Sequence, residues 1–152
     1  IGALSEHLAD YEQLMMQYYG AGVQACYRGP RLYDADTTQR LVTRVVNWYK
    51  QYREVLNADI VHLRRADGRD WDGWMHTDLF SKQKGLMLLF NPLKEPIKRT
   101  IRIPVYYTGL EQKVKIRKGE GPSKVYQINS KHEVEFSFEL GAGEYAWWVM
   151  EQ

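Results

Sequence analysis

The residues best able to do chemistry in this chain fall into two short stretches. The first is Arg28-Gly29-Pro30-Arg31-Leu32-Tyr33-Asp34, with Asp36 just beyond it. The second is Asp67-Gly68-Arg69-Asp70-Trp71-Asp72-Gly73-Trp74. A carboxylate can move a proton, attack a carbon or hold a cation. Indole and phenol rings offer flat faces to sugars or bases. Asp67, Asp70 and Asp72 supply the oxygens that calcium prefers, but their spacing departs from the EF-hand loop, and turn chemistry accounts for Asp and Gly without an ion. His7, His62, His76 and His132 are scattered, with no two at ligand spacing, so no metal is expected. Cys26 is the single cysteine, which rules out an internal disulfide and a cysteine zinc site; it reads as a small apolar side chain on a strand. Gly119–Gly121 lacks the Lys-Ser/Thr and the following helix of a phosphate loop. Ser5, Ser81, Ser123 and Ser130 have no nucleophile-elbow context. No cofactor is expected.

Composition narrows the class. The 152 residues are 44% hydrophobic and 26% charged, an ordinary globular balance. A chain of this length can bury ~70% of its unfolded surface. Net charge is only +2 and no long Lys/Arg run occurs, so nucleic acid is not an expected partner. No stretch approaches the ~20 apolar residues of a bilayer span, so no membrane partner is expected either. The first residues show no basic region or apolar signal core. A periplasmic or secreted location through a longer parent protein stays open. Five Trp and eleven Tyr are many for this length and require either a core or a surface platform to use them.

These residues must be positioned by two kinds of element. A helix is expected from about Ser5 to Tyr19, with Ser5 as N-cap and Leu8, Tyr11, Met15 and Tyr18 on one apolar face. Gly20 and Gly22 end it. Val23–Tyr27 reads as a short strand covered on both sides. A second helix is expected from about Thr37 to Leu56, capped by Asp36 with Gln39 three residues on. A lone strand between two helices is one unit of a parallel α/β sheet, and parallel strands need neighbours. The segment therefore reads as the tail of something larger. From Asp59 onward the pattern becomes about eight short strands separated by turns, as in an antiparallel sandwich. Gly85–Phe90 is almost wholly apolar and reads as a central strand, broken by Asn91-Pro92. Val134, Phe136, Phe138 and Leu140 alternate with Glu133, Glu135, Ser137 and Glu139. Lys113, Lys115 and Arg117 are expected to lie across from those glutamates. The fold class is thus α+β, with residues 1–57 as a helix-strand-helix segment and 58–152 as an antiparallel sandwich.

This order of parts resembles the end of a (β/α)8 barrel and the C-terminal sandwich of α-galactosidase-like glycoside hydrolases of gut-bacterial type. Gly22–Asp34 looks like the eighth barrel strand and its loop. Lys84-Gly85-Leu86-Met87-Leu88-Leu89-Phe90-Asn91-Pro92 resembles the apolar strand ending in Phe-Asn-Pro of those enzymes. Ile103-Pro104-Val105-Tyr106-Tyr107-Thr108-Gly109-Leu110 looks like a matching segment of glycosidase-related proteins.

The resemblance implies that the Tyr27–Asp34 loop faces an active site, because barrel enzymes react at the C-terminal ends of their strands. Arg28 and Arg31 would hold hydroxyls or an acidic group, Tyr33 would stack on a sugar, and Asp34 is a candidate carboxylate. Alternatively, the two arginines pin the loop to the following domain. Glycosidases need two carboxylates ~5–9.5 Å apart. Only one strand end is present, so the chain alone is expected to be inactive, its partner being the rest of the barrel. A second reading is a carbohydrate-binding module in which Trp71 and Trp74 form a platform, with Asp70 and Asp72 accepting from hydroxyls; the isolated sandwich is nonetheless expected to show no measurable sugar binding. A third is a protein-interaction domain. Trp147 and Trp148 point to opposite faces, with Trp148 expected on the outer one.

Overall fold

The structure is a computed structural model that describes residues 3–25 and 31–152. The chain divides into two compact units, Ile1–Asn57 and Ala58–Gln152.

The first unit holds two helices, α1 (Leu8–Gly20) and α2 (Asp36–Leu56), after a 3-10 turn over Leu4–Glu6. Ser5 lies inside that turn and His7 is the N-cap of α1, so the helix starts two residues later than its capping signal suggests. Tyr11, Met15 and Met16 are buried on α1; Leu41, Val42, Val45, Tyr52, Val55 and Leu56 are buried on α2. Arg44 pairs with Glu12 across the two helices at 3.1 Å. Helix α1 ends in a Schellman motif: Val23 N donates to Tyr18 O and Gly22 N to Tyr19 O, each at 3.1 Å. Gly22 has φ +70°, and a Cβ there would come within 2.1 Å of Leu56 O, so this position needs glycine for both its dihedral and its close approach.

Asp36 does not cap α2. The N-cap is Ala35, whose N–H donates to Thr38 Oγ1 at 3.0 Å, and Thr38 rather than Gln39 supplies the side chain at that end. Asp36 sits in the first turn, where its charge favours the positive end of the helix dipole. Val23–Ala25 form no ladder. Cys26 and Tyr27, which complete the expected strand, lie outside the described residues. The strand expected over Val23–Tyr27 is thus not formed in its described part.

The second unit contains eight strands: β1 (Asp59–Arg64), β2 (Asp72–Thr77), β3 (Gly85–Phe90), β4 (Ile97–Pro104), β5 (Lys113–Lys118), β6 (Ser123–Gln127), β7 (Glu133–Leu140) and β8 (Tyr145–Glu151). Six form one sheet in the order β1-β2-β3-β8-β5-β6, and β4 pairs with β7 in a second. The strand pairs of this unit are all antiparallel. The sheets enclose one apolar core. Met75, Met87, Val114, Trp148 and Met150 come from the larger sheet; Ile97, Ile103, Val134, Phe136 and Phe138 come from the smaller. Every residue of β3 is buried, as its unbroken apolar run predicts. In β7 the odd-numbered residues stay partly or fully exposed while Val134, Phe136, Phe138 and Leu140 are buried, so one alternating pattern fixes which face is inward.

The expected charge ladder has different partners. Strand β7 pairs with β4, not β5: Lys98 meets Glu139 at 3.3 Å, and Arg102 stands opposite Glu135. Arg117 of β5 instead reaches Glu120 at 3.4 Å and Glu151 at 4.0 Å. Alternation along a strand shows which face is wet, but not which strand lies beside it. Trp148 is likewise in the core, 5% exposed, and Trp147 takes the opposite face.

Asn91 closes the exit of β3. It is fully buried, and its Nδ2 donates to Glu95 O and Gly141 O, both at 2.8 Å. Its Oδ1 accepts from Leu93 N at 3.0 Å, and its own N–H donates to Glu144 O at 2.8 Å. One side chain therefore ties the β3–β4 connection to the β7–β8 turn.

Candidate functional site

Of the loop residues that could meet a substrate, Arg28 lies outside the described residues. Arg31, Tyr33 and Asp34 are exposed just ahead of α2. The loop is held from beneath: Tyr11 Oη donates to Leu32 O at 2.7 Å. Asp34 is built into this clamp. It accepts from Thr38 Oγ1 at 3.0 Å and from Ser5 N at 3.5 Å, while its own N–H donates back to Thr38 Oγ1 at 3.1 Å. Reduced hydration raises its pKa, but hydrogen bonds from Thr38, Ser5 and Leu4 outweigh that and hold it below the ordinary carboxylate value. Such a carboxylate is an acceptor committed to its own loop. Arg31 and Tyr33 are the members of the set that stand outward.

In the second unit the Asp-rich turn is occupied by arginines. Arg64 Nη1 and Nη2 each donate to Asp67 at 3.0 Å, and Nη1 also reaches Trp71 O at 2.8 Å. Asp70 accepts from Trp71 N at 2.8 Å and pairs with Arg99 at 3.1 Å. These bonds lower the Asp70 pKa, the Trp71 amide contributing most. Burial pushes Asp72 up. Among the described residues no group of three or more His, Cys, Asp or Glu is arranged to hold a metal ion.

The Arg64–Asp67 pair has a pH signature. The two hydrogen bonds from Arg64, then that from Arg69 N–H, hold Asp67 at about 2. An unfolded Asp titrates near ~3.9. The folded value is the lower one, so the stabilisation is full above the unfolded pKa and is lost as pH falls toward the folded one. Asp67→Asn should lower the melting temperature at neutral pH by a small amount, because the pair is open to water. The gap from the parent protein should narrow as pH falls from about 5 to about 2.5. A gap that stays constant with pH would show that the charge is not its source.

Trp71 and Trp74 do not form a shared surface platform. Trp71 is 8% exposed and meets Phe138 edge-on at 5.7 Å within the core. Trp74 lies on the opposite face of the larger sheet in a row of rings, 6.4 Å from His62 and 5.1 Å from Phe90, which in turn lies 5.9 Å from Tyr145. Neighbouring residues of one strand face opposite ways, so Trp74 shares its face with Asp72 and not with the core side of the strand.

The outward aromatics of this unit gather elsewhere. Strand β4 ends at Pro104, and Tyr106–Thr108 make a 3-10 turn. Thr108 fixes that turn: its Oγ1 donates to Val105 O at 2.6 Å and accepts from Leu110 N at 3.3 Å. Tyr106 and Tyr107 stand out of it, 63% and 65% exposed, with their rings 5.3 Å apart and nearly perpendicular. The β6–β7 turn brings His132 to Tyr106, ring to ring at 5.2 Å. That turn is set by Asn129, whose Oδ1 accepts from Lys131 N and Glu133 N, and His132 sits there at φ 57°. Val105 N donates to His132 O at 2.9 Å and locks the two turns together. With Leu79 and Glu111 these groups line a cavity of about 310 Å³. None of these residues is marked as a site by its local sequence. The available signal was Tyr106-Tyr107 itself: adjacent aromatics at the end of an alternating strand cannot both enter the core.

The chain has an α+β fold that recurs within solved glycoside hydrolase structures. Among solved structures, a family 27 β-L-arabinopyranosidase from Geobacillus stearothermophilus matches with a TM-score of 0.56 at 14% identity, over 93% of this chain and 30% of its own. A candidate α-galactosidase from Bacteroides fragilis matches with a TM-score of 0.58 at 9% identity, over 95% of this chain and 28% of its own. A family 36 α-galactosidase from Geobacillus stearothermophilus matches with a TM-score of 0.55 at 18% identity, over 78% and 16% respectively. At these identities the likeness is one of fold. The chain spans less than a third of the length of each of these enzymes. No protein-family model matches the sequence, and no curated protein does.

Proposed function

We propose that this chain is an accessory portion of a glycoside hydrolase-type protein. Residues 58–152 would be the C-terminal sandwich that packs on a catalytic barrel and stabilises it. Residues 1–57 would be the last elements of that barrel, with Arg31 and Tyr33 facing its cleft. The observation that carries this reading is one of coverage: 93% to 95% of this chain matches, while that match is only 30% and 28% of two such enzymes. The carboxylates favour the same conclusion. Asp34, Asp67 and Asp70 are each committed to a local bond or ion pair, whereas glycoside cleavage needs two carboxyls ~5–9.5 Å apart across the scissile bond.

The chain alone should not hydrolyse aryl α-galactosides or aryl β-L-arabinopyranosides above the buffer rate. The complete product of its gene should do so, and removing residues 58–152 from that product should lower its melting temperature. Turnover by the chain alone, or a complete product indifferent to that deletion, would overturn the proposal.

A further inference from the structure

We propose that the cavity bounded by Tyr106, Tyr107 and His132 binds one pyranose ring of a neutral glycan. The site lies wholly within the second unit and needs no catalytic barrel to form.

Four features point to this ligand class. The first is the aromatic corner. Two tyrosines are each more than half exposed and meet at 87°, so one ring presents its face as a floor while the other stands as a wall. A pyranose has one face of C–H groups that lies on an aromatic ring and a rim of hydroxyls that does not. The second is the polar rim. Glu111 and His132 line the same cavity, and neither side chain has an ion pair or hydrogen bond among the described residues. A carboxylate accepts from hydroxyls, and an imidazole can accept and donate. The third is size. A volume of about 310 Å³ lies at the lower end of the ~300–1,000 Å³ of small-molecule sites, suited to a single ring. The fourth is prior order. Thr108 fixes the tyrosine turn, Asn129 fixes the histidine turn, and the Val105–His132 backbone bond joins them, so the corner exists before a ligand arrives. A Cβ at Gly109 would come within 2.1 Å of Leu79 Cδ1, which keeps Leu79 close against the tyrosine turn.

A ligand of about a dozen heavy atoms at ordinary efficiency binds in the low millimolar range, so the experiment must reach high ligand concentration. The full chain, labelled with nitrogen-15, is titrated with methyl α-galactopyranoside and methyl β-glucopyranoside to about 100 mM, and with sorbitol as an open-chain polyol lacking a flat C–H face. The expected result is saturable amide shifts confined to Tyr106–Glu111, Leu79 and the Asn129–His132 turn with at least one pyranoside, and none with sorbitol. Tyr106→Ala and Tyr107→Ala should each weaken binding by roughly five- to tenfold, the loss of one aromatic contact. Both positions are exposed, and unchanged spectra elsewhere verify the fold. Shifts that never saturate, that occur equally with sorbitol, or that persist in both variants would overturn the proposal. So would concentration-dependent broadening of the same residues without sugar, which would identify the corner as a contact between copies of the chain.

Discussion

Asn91→Ala is expected to destabilise the sandwich by about 3–5 kcal/mol, more than removal of any ion pair among the described residues. The side chain is fully buried and serves Glu95 O, Gly141 O and Leu93 N at once. Alanine leaves all three backbone groups without that partner, and each orphaned group costs ~1–3 kcal/mol depending on how much water reaches it. The sharper variant is Asn91→Asp, which keeps the shape but replaces the Nδ2 donor by an oxygen. At neutral pH a carboxylate would face two carbonyl oxygens, so this variant should be at least as unstable as the alanine one. Burial among acceptors raises its folded pKa above the unfolded value. The protonated acid can donate to one carbonyl, so part of the loss should be recovered as pH falls through that raised pKa. Urea unfolding at several pH values checks both. An alanine variant within ~0.5 kcal/mol of the parent protein, or an aspartate variant with no recovery in acid, would show that these bonds do not hold the turns together.

Phe136→Ala should cost about 3–5 kcal/mol as well, by a different route. Phe136 is 2% exposed and touches rings on both sheets. Its centroid lies 5.7 Å from Tyr126, 6.4 Å from Phe138 and 5.4 Å from Trp148, the last edge-on at 86°. Truncation removes the ring's transfer free energy and leaves a void that β4–β7 and the larger sheet cannot both close. With a slope typical of a small domain, the urea midpoint should fall by roughly 2 M. Trp71 and Trp148 share that core, so their emission reports the transition. Phe136→Leu keeps most of the volume and should cost less than about 1.5 kcal/mol. Equal losses for the two variants would mean that the ring's volume is not what the core requires.

Local pattern carried much of the fold. The six apolar residues of Gly85–Phe90 admit only a strand covered on both faces, and alternation from Glu133 to Leu140 admits only one inward face. Long-range partnership was not written locally. Asn91-Pro92 is legible as a strand breaker, but the bond from Asn91 to Gly141 spans fifty residues and has no nearby signature. The glutamates of β7 find their cations on β4 because register couples those strands, and nothing in Lys113–Arg117 announces that β5 lies in the other sheet. The site shows the same division. Asp34 was legible as a polar residue in the right loop, but its commitment to Thr38 and Ser5 depends on the return of the chain beside α1. Trp71 was read as a surface ring because turn residues surround it, whereas the first residue past a turn can point either way. Tyr106 and Tyr107 carry no local signal beyond their adjacency at the end of an alternating strand. Their meeting with His132 joins two turns far apart in the chain.

The place of β8 between β3 and β5 bears on how the protein is made. A ribosome releases the strands in numerical order, yet the one released after all the others lies inside the larger sheet and bridges β1-β2-β3 to β5-β6. Until it emerges, nascent chain offers two separate hairpin-like pieces with open inner edges. The larger sheet is therefore closed only when β8 joins it, and until then those two inner edges stay open to pairing with the wrong partner.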